Sequence, residues 1–309
     1  MKRTFTTMRA HRYQTKDDLF RAQAALMQWA REAGHCNYLH KGDVGHRLFN
    51  SCSGCDPADV MRYWLDENAE VCAFAMLDLP WEAFDLQVAP ALRLSDDHID
   101  IFEYCERETT RLAARKGKSA EKIVVEADAC DPAYVAFVEA RGYKFLDYSF
   151  ALTRHELKAL PEAPLPSGFR FHQATAADAP QLADVHNHSF SSKWNAESYG
   201  EVFQSPHMEY EIVVVAPDGR FAAFTNIWID DVNRSLLFEP VGTHSDFRQR
   251  GIAKALMVHV LERMIAERGI ERAYVGHQPP DKNPASSALY ASVGFEKLHE
   301  IHDYSKSVV

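Results

Sequence analysis

The alternation of apolar and polar residues predicts a chain in which helices and strands follow one another throughout. In the C-terminal half, apolar residues at helical spacing predict helices, and β-branched runs between turn residues predict strands. The predicted strands cover residues 169–173, 211–216, 220–229, 236–243, 273–276 and 296–306, and the predicted helices cover 177–187, 197–203, 251–268 and 284–293. This order predicts an α/β (α+β) fold with a mixed, mostly antiparallel sheet and helices on both faces.

The N-terminal half shows a similar but less regular pattern. It predicts helices over 16–33, 57–67, 97–115 and 133–141, and strands over 71–77, 84–88 and 122–126. Two short segments also repeat: Asp131-Pro132-Ala133 precedes Gly142-Tyr143, and Asn283-Pro284-Ala285 precedes Gly294-Phe295, with an offset of 152 residues in both cases. A period of this length predicts duplicated domains.

The boundary between the two copies is predicted by composition. Residues 160–168 contain three prolines and a glycine, which favours a semi-extended linker. We therefore predict an N-terminal domain over 1–158, a linker over 159–168 and a C-terminal domain over 169–309. A chain of 309 residues is long enough for two such domains.

Composition and charge narrow the class of protein. Hydrophobic residues make up 46% and charged residues 25%, as in ordinary globular proteins. A net charge of -10 opposes binding to a nucleic-acid backbone, and no apolar run is long enough to span a membrane. Residues 1–7 lack the apolar segment of a secretory signal. We expect a cytoplasmic protein with neither nucleic-acid nor membrane partners.

The six cysteines all lie before residue 131, and they include the pair Cys52 and Cys55 in a C-x-x-C segment. With Cys36 and the nearby His35, His40 and His46, a zinc site is conceivable. There is no second C-x-x-C at finger spacing, so we expect reduced thiols and no metal. Whether Cys52 and Cys55 bind a metal is left open.

One loop in the C-terminal half has the features of an anion site. After the strand that ends near Thr243, a loop leads into the helix predicted over 251–268, and its residues are Arg248, Gln249, Arg250, Gly251, Ile252, Ala253 and Lys254. The first N–H groups of a helix lack internal partners, and the helix dipole adds partial positive charge. Gly251 allows a close backbone approach, so the loop can hold a pyrophosphate.

This loop resembles the R/Q-x-x-G-x-G/A loop of the GNAT acyl-CoA N-acyltransferases. The segment from Asn283 to Phe295 resembles the family's N-x-x-A-x-x-L-Y-x-x-x-G-F segment, and it lies one helix and one strand further along, in the family's order. The chain is therefore identified as a member of the GNAT superfamily with tandem domains. The layout is similar to that of the mycothiol synthase family, in which the C-terminal domain is catalytic. The shared motifs occur throughout the superfamily, so they do not identify the substrate.

The resemblance implies that acetyl-CoA is the acyl donor, used as a co-substrate. It assigns donor binding to Val241, Gly242, Thr243, the loop Arg248–Lys254, Asn283 and Ser286. Arg248 and Arg250 can add charge at the phosphates, or they can be ordinary surface arginines. Asn283 can contact the donor near the thioester, or it can be the N-cap of the following helix.

The resemblance also implies two catalytic residues. Glu239 can act as the base for the amine, with strand alternation placing Glu239, Val241 and Thr243 on one face. Tyr290 can protonate the leaving thiolate. The alternatives are a structural glutamate and a core aromatic. No cysteine follows residue 130, which favours direct transfer in a ternary complex over a cysteine acyl-enzyme.

Family position also points to an acceptor site and to a degenerate first copy. The acceptor candidates are His186, Trp194, Tyr199, Asn226 and Trp228. The aromatic residues could instead be core residues, and the histidine could be a surface or capping group. In the N-terminal copy no glycine lies between Gly54 and Gly117, and Val138 stands where Tyr290 stands in the second copy. We expect this copy to have lost the donor site and either to shape the acceptor cleft or to serve as a packing partner.

The leading hypothesis is an acetyl-CoA-dependent N-acetyltransferase that acts on a small primary amine. The alternative is a non-catalytic acyl-CoA-binding sensor or interaction protein, and acetylation of protein lysines is a third hypothesis. The sequence fixes neither the acceptor, nor the acyl chain length, nor the oligomeric state. A monomer with an intramolecular pseudo-dimer is compatible with it.

Overall fold

The computed structural model describes residues 9–51, 55–79, 82–115, 117, 121–206 and 209–308. The chain divides into two compact units. The first unit contains Met1–Ser149 and His299–Val309, and the second contains Phe150–Leu298. Among the described helices, none is both long enough and apolar enough to cross a membrane.

The first unit contains one sheet with helices packed on it. Its strands are β1 His11–Arg12, β2 Met61–Leu65, β3 Val71–Leu79, β4 Ala83–Val88 and β5 Lys122–Asp128, and its helices are α1 Lys16–Ala33, α2 Lys41–His46, α3 Pro57–Val60, α4 Asp96–Arg115 and α5 Pro132–Glu139. A π-helical stretch, Arg47–Ser51, follows α2. All strand pairs in this unit are antiparallel except β4 with β5.

The helix predicted over 57–67 is wrong in its second half. Asp56 caps α3 by accepting the N–H of Ala58, but the helix ends at Val60. Met61–Leu65 is a strand, in which Tyr63 pairs with Phe74 of β3. Short apolar runs do not distinguish a helix from a buried strand, and the aromatic residues here favour the sheet.

The second unit also contains one sheet. The remaining elements along the chain are β6 Lys144–His155, β7 Arg170–Gln173, α6 Ala179–Phe190, α7 Ala196–Gln204, β8 Tyr210–Val215, β9 Phe221–Asp230, β10 Ser235–Thr243, α8 Ile252–Arg268, β11 Arg272–His277, α9 Pro284–Val293 and β12 Glu296–Ser307. The second unit begins within β6, at Phe150, and from His299 onwards β12 belongs to the first unit. The strand order is β6-β11-β10-β9-β8-β7, antiparallel except for β10 with β11. The predicted fold class of mixed, mostly antiparallel sheets with flanking helices is confirmed.

The compact units have different boundaries from the predicted sequence copies because the last strand of each copy belongs to the other unit. In β6, His155 pairs with Ala273 of β11, and in β12, Ser307 pairs with Lys122 of β5. The predicted linker over 159–168 therefore lies within the second unit. The predicted limits of the two duplicated copies stay a prediction.

Each face of the second unit's sheet is covered by helices. Leu256, Val260 and Met264 of α8 are fully buried against one face. Leu182 of α6 packs with Phe224 of β9 on a second cluster, which includes Tyr199 of α7. Fully burying a side chain of this kind contributes roughly 1.5–3 kcal/mol relative to exposure. The sheet is thereby a rigid support for the residues at the ends of its central strands.

The expectation that all cysteines are reduced is wrong. Cys36 and Cys130 form a disulfide across a sequence separation of 94 residues, with their Cα atoms 6.2 Å apart. Cys55, Cys72 and Cys105 carry thiols. Cys52 lies outside the described residues, so the C-x-x-C hypothesis stays a prediction. Sequence spacing gives no signal for a pair that only the fold brings together.

Candidate active site

The two central strands of the second unit separate partway along their length. β10 and β11 pair from Ser235 to Phe238, and within the described residues no pair continues beyond Phe238. β10 nevertheless continues along β9 as far as Thr243, which pairs with Ala223. The last residues of β10 are therefore not paired with β11 within the described residues, and apart from the Thr243 carbonyl, which accepts a hydrogen bond from Arg248, main-chain groups on this edge can bond to a ligand.

A bulge marks the point of separation. Phe238 pairs with Ile227 and Val241 pairs with Thr225, so Glu239 and Pro240 together stand opposite Asn226. Pro240 cannot donate to the ladder because it has no N–H group. The expectation that alternation places Glu239 on the face of Val241 is wrong, since the bulge puts Phe238 and Val241 on one face instead.

The N-terminus of α8 is open. Gly251 is its N-cap with φ 74°, and no side chain caps the helix. A Cβ atom on Gly251 would meet nothing within 4 Å, and Gln249 also has a positive φ of 60°. The side chain of Ile252 is buried and anchors the first turn, while those of Ala253 and Lys254 are half-buried. The loop therefore presents uncapped N–H groups beside open space, as an anion site requires.

The two arginines of this loop are held by main-chain carbonyl groups. Nη2 of Arg248 donates to the carbonyl oxygens of His188 and Ser189, each at 3.0 Å, and Nε donates to that of Thr243 at 3.3 Å. Nη2 of Arg250 donates to the carbonyl oxygen of Asp246 at 3.0 Å. Both side chains thus brace the loop while their charge stays next to it. Their contact with phosphate stays a prediction.

Gly242 is required for packing as well as for a ligand. A Cβ atom there would lie 2.3 Å from Cε1 of Phe224 and 2.8 Å from Oγ of Ser189. Neither distance is compatible with a side chain, and Phe224 is fully buried. The glycine lets the end of β10 approach the helix layer, a role that the sequence did not reveal.

One catalytic candidate, Glu239, acts electrostatically on the other, Tyr290. Tyr290 is buried, with its ring centroid 5.4 Å from that of His277 and 6.3 Å from that of Phe295. Burial raises the pKa of the Tyr290 phenol, and the charge of Glu239 raises it further. Glu239 itself is half-buried. The phenol therefore stays protonated at neutral pH, which is the form that can donate a hydrogen bond.

Asn283 acts as a helix cap in the structure. Its Oδ1 accepts the N–H of Ser286 at 3.2 Å, and Oγ of Ser286 donates to the Asn283 carbonyl oxygen at 3.1 Å. Both side chains thus organise the start of α9, which carries Tyr290. A contact of either residue with the acyl donor stays a prediction.

Four of the five acceptor candidates lie in one region. The ring of His186 lies 5.4 Å from Trp194 and 6.0 Å from Tyr199. Burial lowers the pKa of His186 to about 4, so the imidazole is neutral at pH 7. Asn226 joins this group through Glu211, described below. Trp228 instead packs in a small cluster with Leu237 and Tyr274 and is 1% exposed.

Glu211 is a residue of this region that the sequence did not reveal. It is 2% exposed, and its carboxylate accepts hydrogen bonds from Oη of Tyr199 at 3.3 Å and Nδ2 of Asn226 at 3.2 Å. Burial raises its pKa to about 8, although both hydrogen bonds act in the opposite direction. A glutamate at the start of an apolar strand was the available signal. Asn226 stands opposite the bulge, so Glu211 lies two strands away from Glu239.

The corresponding helix start in the first unit is closed to an anion. Asp96 and Asp97 occupy the first turn of α4. Oγ of Ser95 accepts the N–H of His98 at 3.3 Å, and Nδ1 of His98 accepts that of Leu94 at 2.9 Å. Carboxylates at this position repel phosphate, although they suit the helix dipole. The contrast with α8 supports a loss of donor binding in this unit.

The residues that form this site lie within a segment that matches a known protein family. Residues 179–295 match the model of the acetyltransferase (GNAT) family. No curated protein matches the chain in sequence.

Several solved structures match nearly the whole chain. A GCN5-related N-acetyltransferase from Sphaerobacter thermophilus has a TM-score of 0.64 at 16% identity, over 98% of this chain and 96% of that one. A tandem GNAT protein from the clavulanic acid biosynthesis pathway has a TM-score of 0.69 at 17% identity, over 97% and 98%. The glucosamine N-acetyltransferase region of a fungal multi-domain GH3 β-N-acetylglucosaminidase has a TM-score of 0.55 at 17% identity, over 98% and 38%. At these identities the likeness establishes the fold, which is that of tandem GNAT proteins.

Proposed function

We propose that this chain, which carries a GNAT acetyltransferase domain in its second unit, transfers the acetyl group of acetyl-CoA directly to a small primary amine. One observation carries the proposal: the uncapped N-terminus of α8 lies beyond the open end of β10 in the same unit. Acetyl-CoA is an elongated donor with a diphosphate at one end and amides towards the other, and this unit offers a partner for each of them. The helix start takes the charge, and the strand edge takes the amides.

The reaction itself needs two proton movements. The nitrogen of the amine forms a bond to the thioester carbonyl carbon while the carbon–sulfur bond breaks. Glu239 accepts the proton that the nucleophile loses, directly or through water, and Tyr290 donates its hydrogen to the leaving sulfur. The burial that raises the pKa of Tyr290 keeps this hydrogen in place until the sulfur becomes negative.

Direct transfer is favoured over a cysteine acyl-enzyme. The second unit, Phe150–Leu298, contains no cysteine in its sequence. Both substrates must then be bound together, which holds the amine beside the thioester and lowers the entropic part of the barrier. Intersecting initial-rate patterns are the expected result, together with an unchanged protein mass after incubation with acetyl-CoA alone.

The acceptor is held by the group around His186. Half-buried Trp194 offers an aromatic face, which attracts ammonium groups, while buried Tyr199 packs against this ring and is hydrogen-bonded to Glu211. This combination suits an acceptor with an amine. Because one structural relative is described as a glucosamine N-acetyltransferase region, glucosamine belongs in the panel of amines, beside a diamine and an amino acid.

The test measures binding and turnover separately. Calorimetry with acetyl-CoA is expected to show one site per chain, and Gly251→Glu is expected to weaken binding by roughly tenfold or more by adding bulk and negative charge at the phosphate site. The control is Gly269→Glu, since Gly269 ends the same helix with a positive φ of 62° and also faces open space.

Two results would contradict the proposal. Equal acetyl-CoA affinity for wild type and Gly251→Glu would remove the donor site from the start of α8. Binding of acetyl-CoA without release of free thiol for any amine of the panel would favour a sensor over an enzyme.

A further inference from the structure

Three potential metal ligands, none of them assigned to the candidate active site, converge in the first unit. They are Cys36, in the segment after α1, Asp128, at the end of β5, and Cys130, just before α5. The two sulfur atoms and a carboxylate oxygen all lie within 4.8 Å of one another. The two sulfurs are joined as a disulfide in this structure.

A fourth side chain, from β12, lies beside the carboxylate of this cluster. Asp128 pairs with Ile301, so His299, two residues earlier on β12, lies on the same face of the sheet. Nε2 of His299 lies 2.9 Å from Oδ2 of Asp128, yet within the described residues this nitrogen makes no hydrogen bond. The imidazole is 8% exposed. This buried nitrogen therefore has the Asp128 carboxylate beside it but no hydrogen bond, and a metal ion held by Asp128 would give it a ligand bond.

The backbone around these residues is held independently of the disulfide. The N–H of Asn37 donates to Oδ2 of Asp128 at 2.6 Å, and the N–H of Asp128 donates to Oδ1 of Asn37 at 2.9 Å. Nδ2 of Asn37 also donates to Oδ2 of Asp131 at 2.8 Å. Asn37 has a φ of 60°, which asparagine tolerates. These bonds keep Cys36 beside Cys130 when the sulfurs are no longer bonded.

We propose that, once this disulfide is reduced, Cys36, Cys130, Asp128 and His299 bind one Zn²⁺ ion. A phosphine reductant opens the bond: the phosphine and one water give the phosphine oxide and two thiols. Each thiol loses its proton when its sulfur binds the metal. A two-electron thiol oxidant such as diamide accepts the two electrons, with two protons from water, when the thiolates rejoin as the disulfide and release Zn²⁺. Zinc and the disulfide therefore exclude each other.

The ligand set suits zinc more than other common ions. Two thiolates, an imidazole and a carboxylate fit tetrahedral Zn²⁺, whereas Mg²⁺ and Ca²⁺ prefer oxygen ligands alone. Zn–S bonds of about 2.3 Å place two sulfurs about 3.8 Å apart in a tetrahedral site. The two sulfurs would therefore move apart by about 2 Å relative to their distance in a disulfide, and side-chain rotation can provide this change. With four protein ligands the site is structural, and it requires nothing of the acetyl transfer.

The experiment titrates the full chain with Zn²⁺ after reduction with a phosphine under anaerobic conditions. We expect one zinc ion per chain in the reduced protein and none in the oxidised protein, measured by elemental analysis after gel filtration. Cys130→Ser and His299→Ala are each expected to lower the zinc affinity by roughly tenfold or more. Co²⁺ in place of zinc is expected to show a thiolate charge-transfer absorption that Cys130→Ser weakens.

Two control variants make the outcome specific. Cys72→Ser removes a buried thiol on β3 of the same unit, and Cys55→Ser removes one cysteine of the C-x-x-C segment. Both are expected to bind zinc like the wild type. The proposal is overturned if the reduced protein binds no zinc, or if Cys55→Ser abolishes binding while Cys130→Ser does not. Circular dichroism of each variant shows that it is folded, so that a loss of affinity is a loss of the ligand.

Discussion

Replacing Glu211 by glutamine should change how the stability of the protein depends on pH. The Glu211 carboxyl is 2% exposed, and burial raises its pKa from an ordinary value of 4.5 to about 8. Between these two pH values the folded protein keeps a proton that the unfolded chain has lost. The raised pKa of Glu211 therefore makes the free energy of unfolding depend on pH: the protein is unaffected below pH 4.5 and loses stability as the pH rises towards 8.

The magnitude follows from the two pKa values. At about 1.4 kcal/mol for each pH unit, a native pKa near 8 against 4.5 corresponds to about 5 kcal/mol over the whole interval. Glutamine has the shape of the protonated acid and does not titrate, and it can still bond to Tyr199 and Asn226. We expect Glu211→Gln and wild type to be similar at pH 4.5, and the variant to be the more stable protein by several kcal/mol at pH 8.

Urea unfolding at several pH values between 4.5 and 8, followed by tryptophan fluorescence and by circular dichroism, measures this difference. Glu262→Gln is the control, because Glu262 is an exposed residue of α8. Its stability should follow that of the wild type at every pH. A difference between Glu211→Gln and wild type that does not change with pH would refute the reasoning, since Glu211 would then ionise as a solvated carboxyl does.

Three further outcomes are expected. Tyr290→Phe should lower kcat by roughly a hundredfold and leave the affinity for acetyl-CoA unchanged, which thiol-release kinetics and calorimetry measure; full activity would remove the donor role. Gly242→Ala should destabilise the protein by about 1–3 kcal/mol, because its Cβ would overlap Phe224, whereas Gly200→Ala, with open space at a helical position, should be neutral or stabilising by up to about 1 kcal/mol in urea unfolding. Acidification from pH 6.5 to 4 should destabilise the wild type more than His186→Gln, since burial lowers the pKa of this imidazole; equal slopes in urea unfolding would contradict it.

Much of the second unit could be predicted from the sequence because its local signals agree with its tertiary structure. Gly251 and Gly269 stand at the two ends of α8, and Asn283 with Pro284 opens α9, as helix capping requires. The apolar stripe of α8 at Leu256 and its successors has the helical period. Where the preference of a residue and its packing agree, a single sequence is informative.

The remaining features depend on contacts between residues that are distant in the chain. Sequence spacing contains no signal for the bond between Cys36 and Cys130 or for the last strand of each copy belonging to the other unit's sheet. Met61–Leu65 becomes a strand because β3 lies beside it. Glu211 looks like an ordinary strand-end glutamate until Tyr199 and Asn226 enclose it. In each case the tertiary partner decides the structure.

The bulge in β10 links the donor side of the candidate site to the acceptor side. Glu239 and Pro240 stand opposite Asn226, and the pairing with β11 ends at Phe238, the residue just before them. The strand edge that can receive the donor therefore begins where the candidate base is placed. On the other side of the same bulge, Asn226 donates to Glu211 at 3.2 Å. A substitution at Asn226 would thus disturb both the surroundings of Glu239 and the carboxyl group of Glu211. In a double-mutant cycle, the effects of substituting Asn226 and Glu211 on stability should therefore be non-additive.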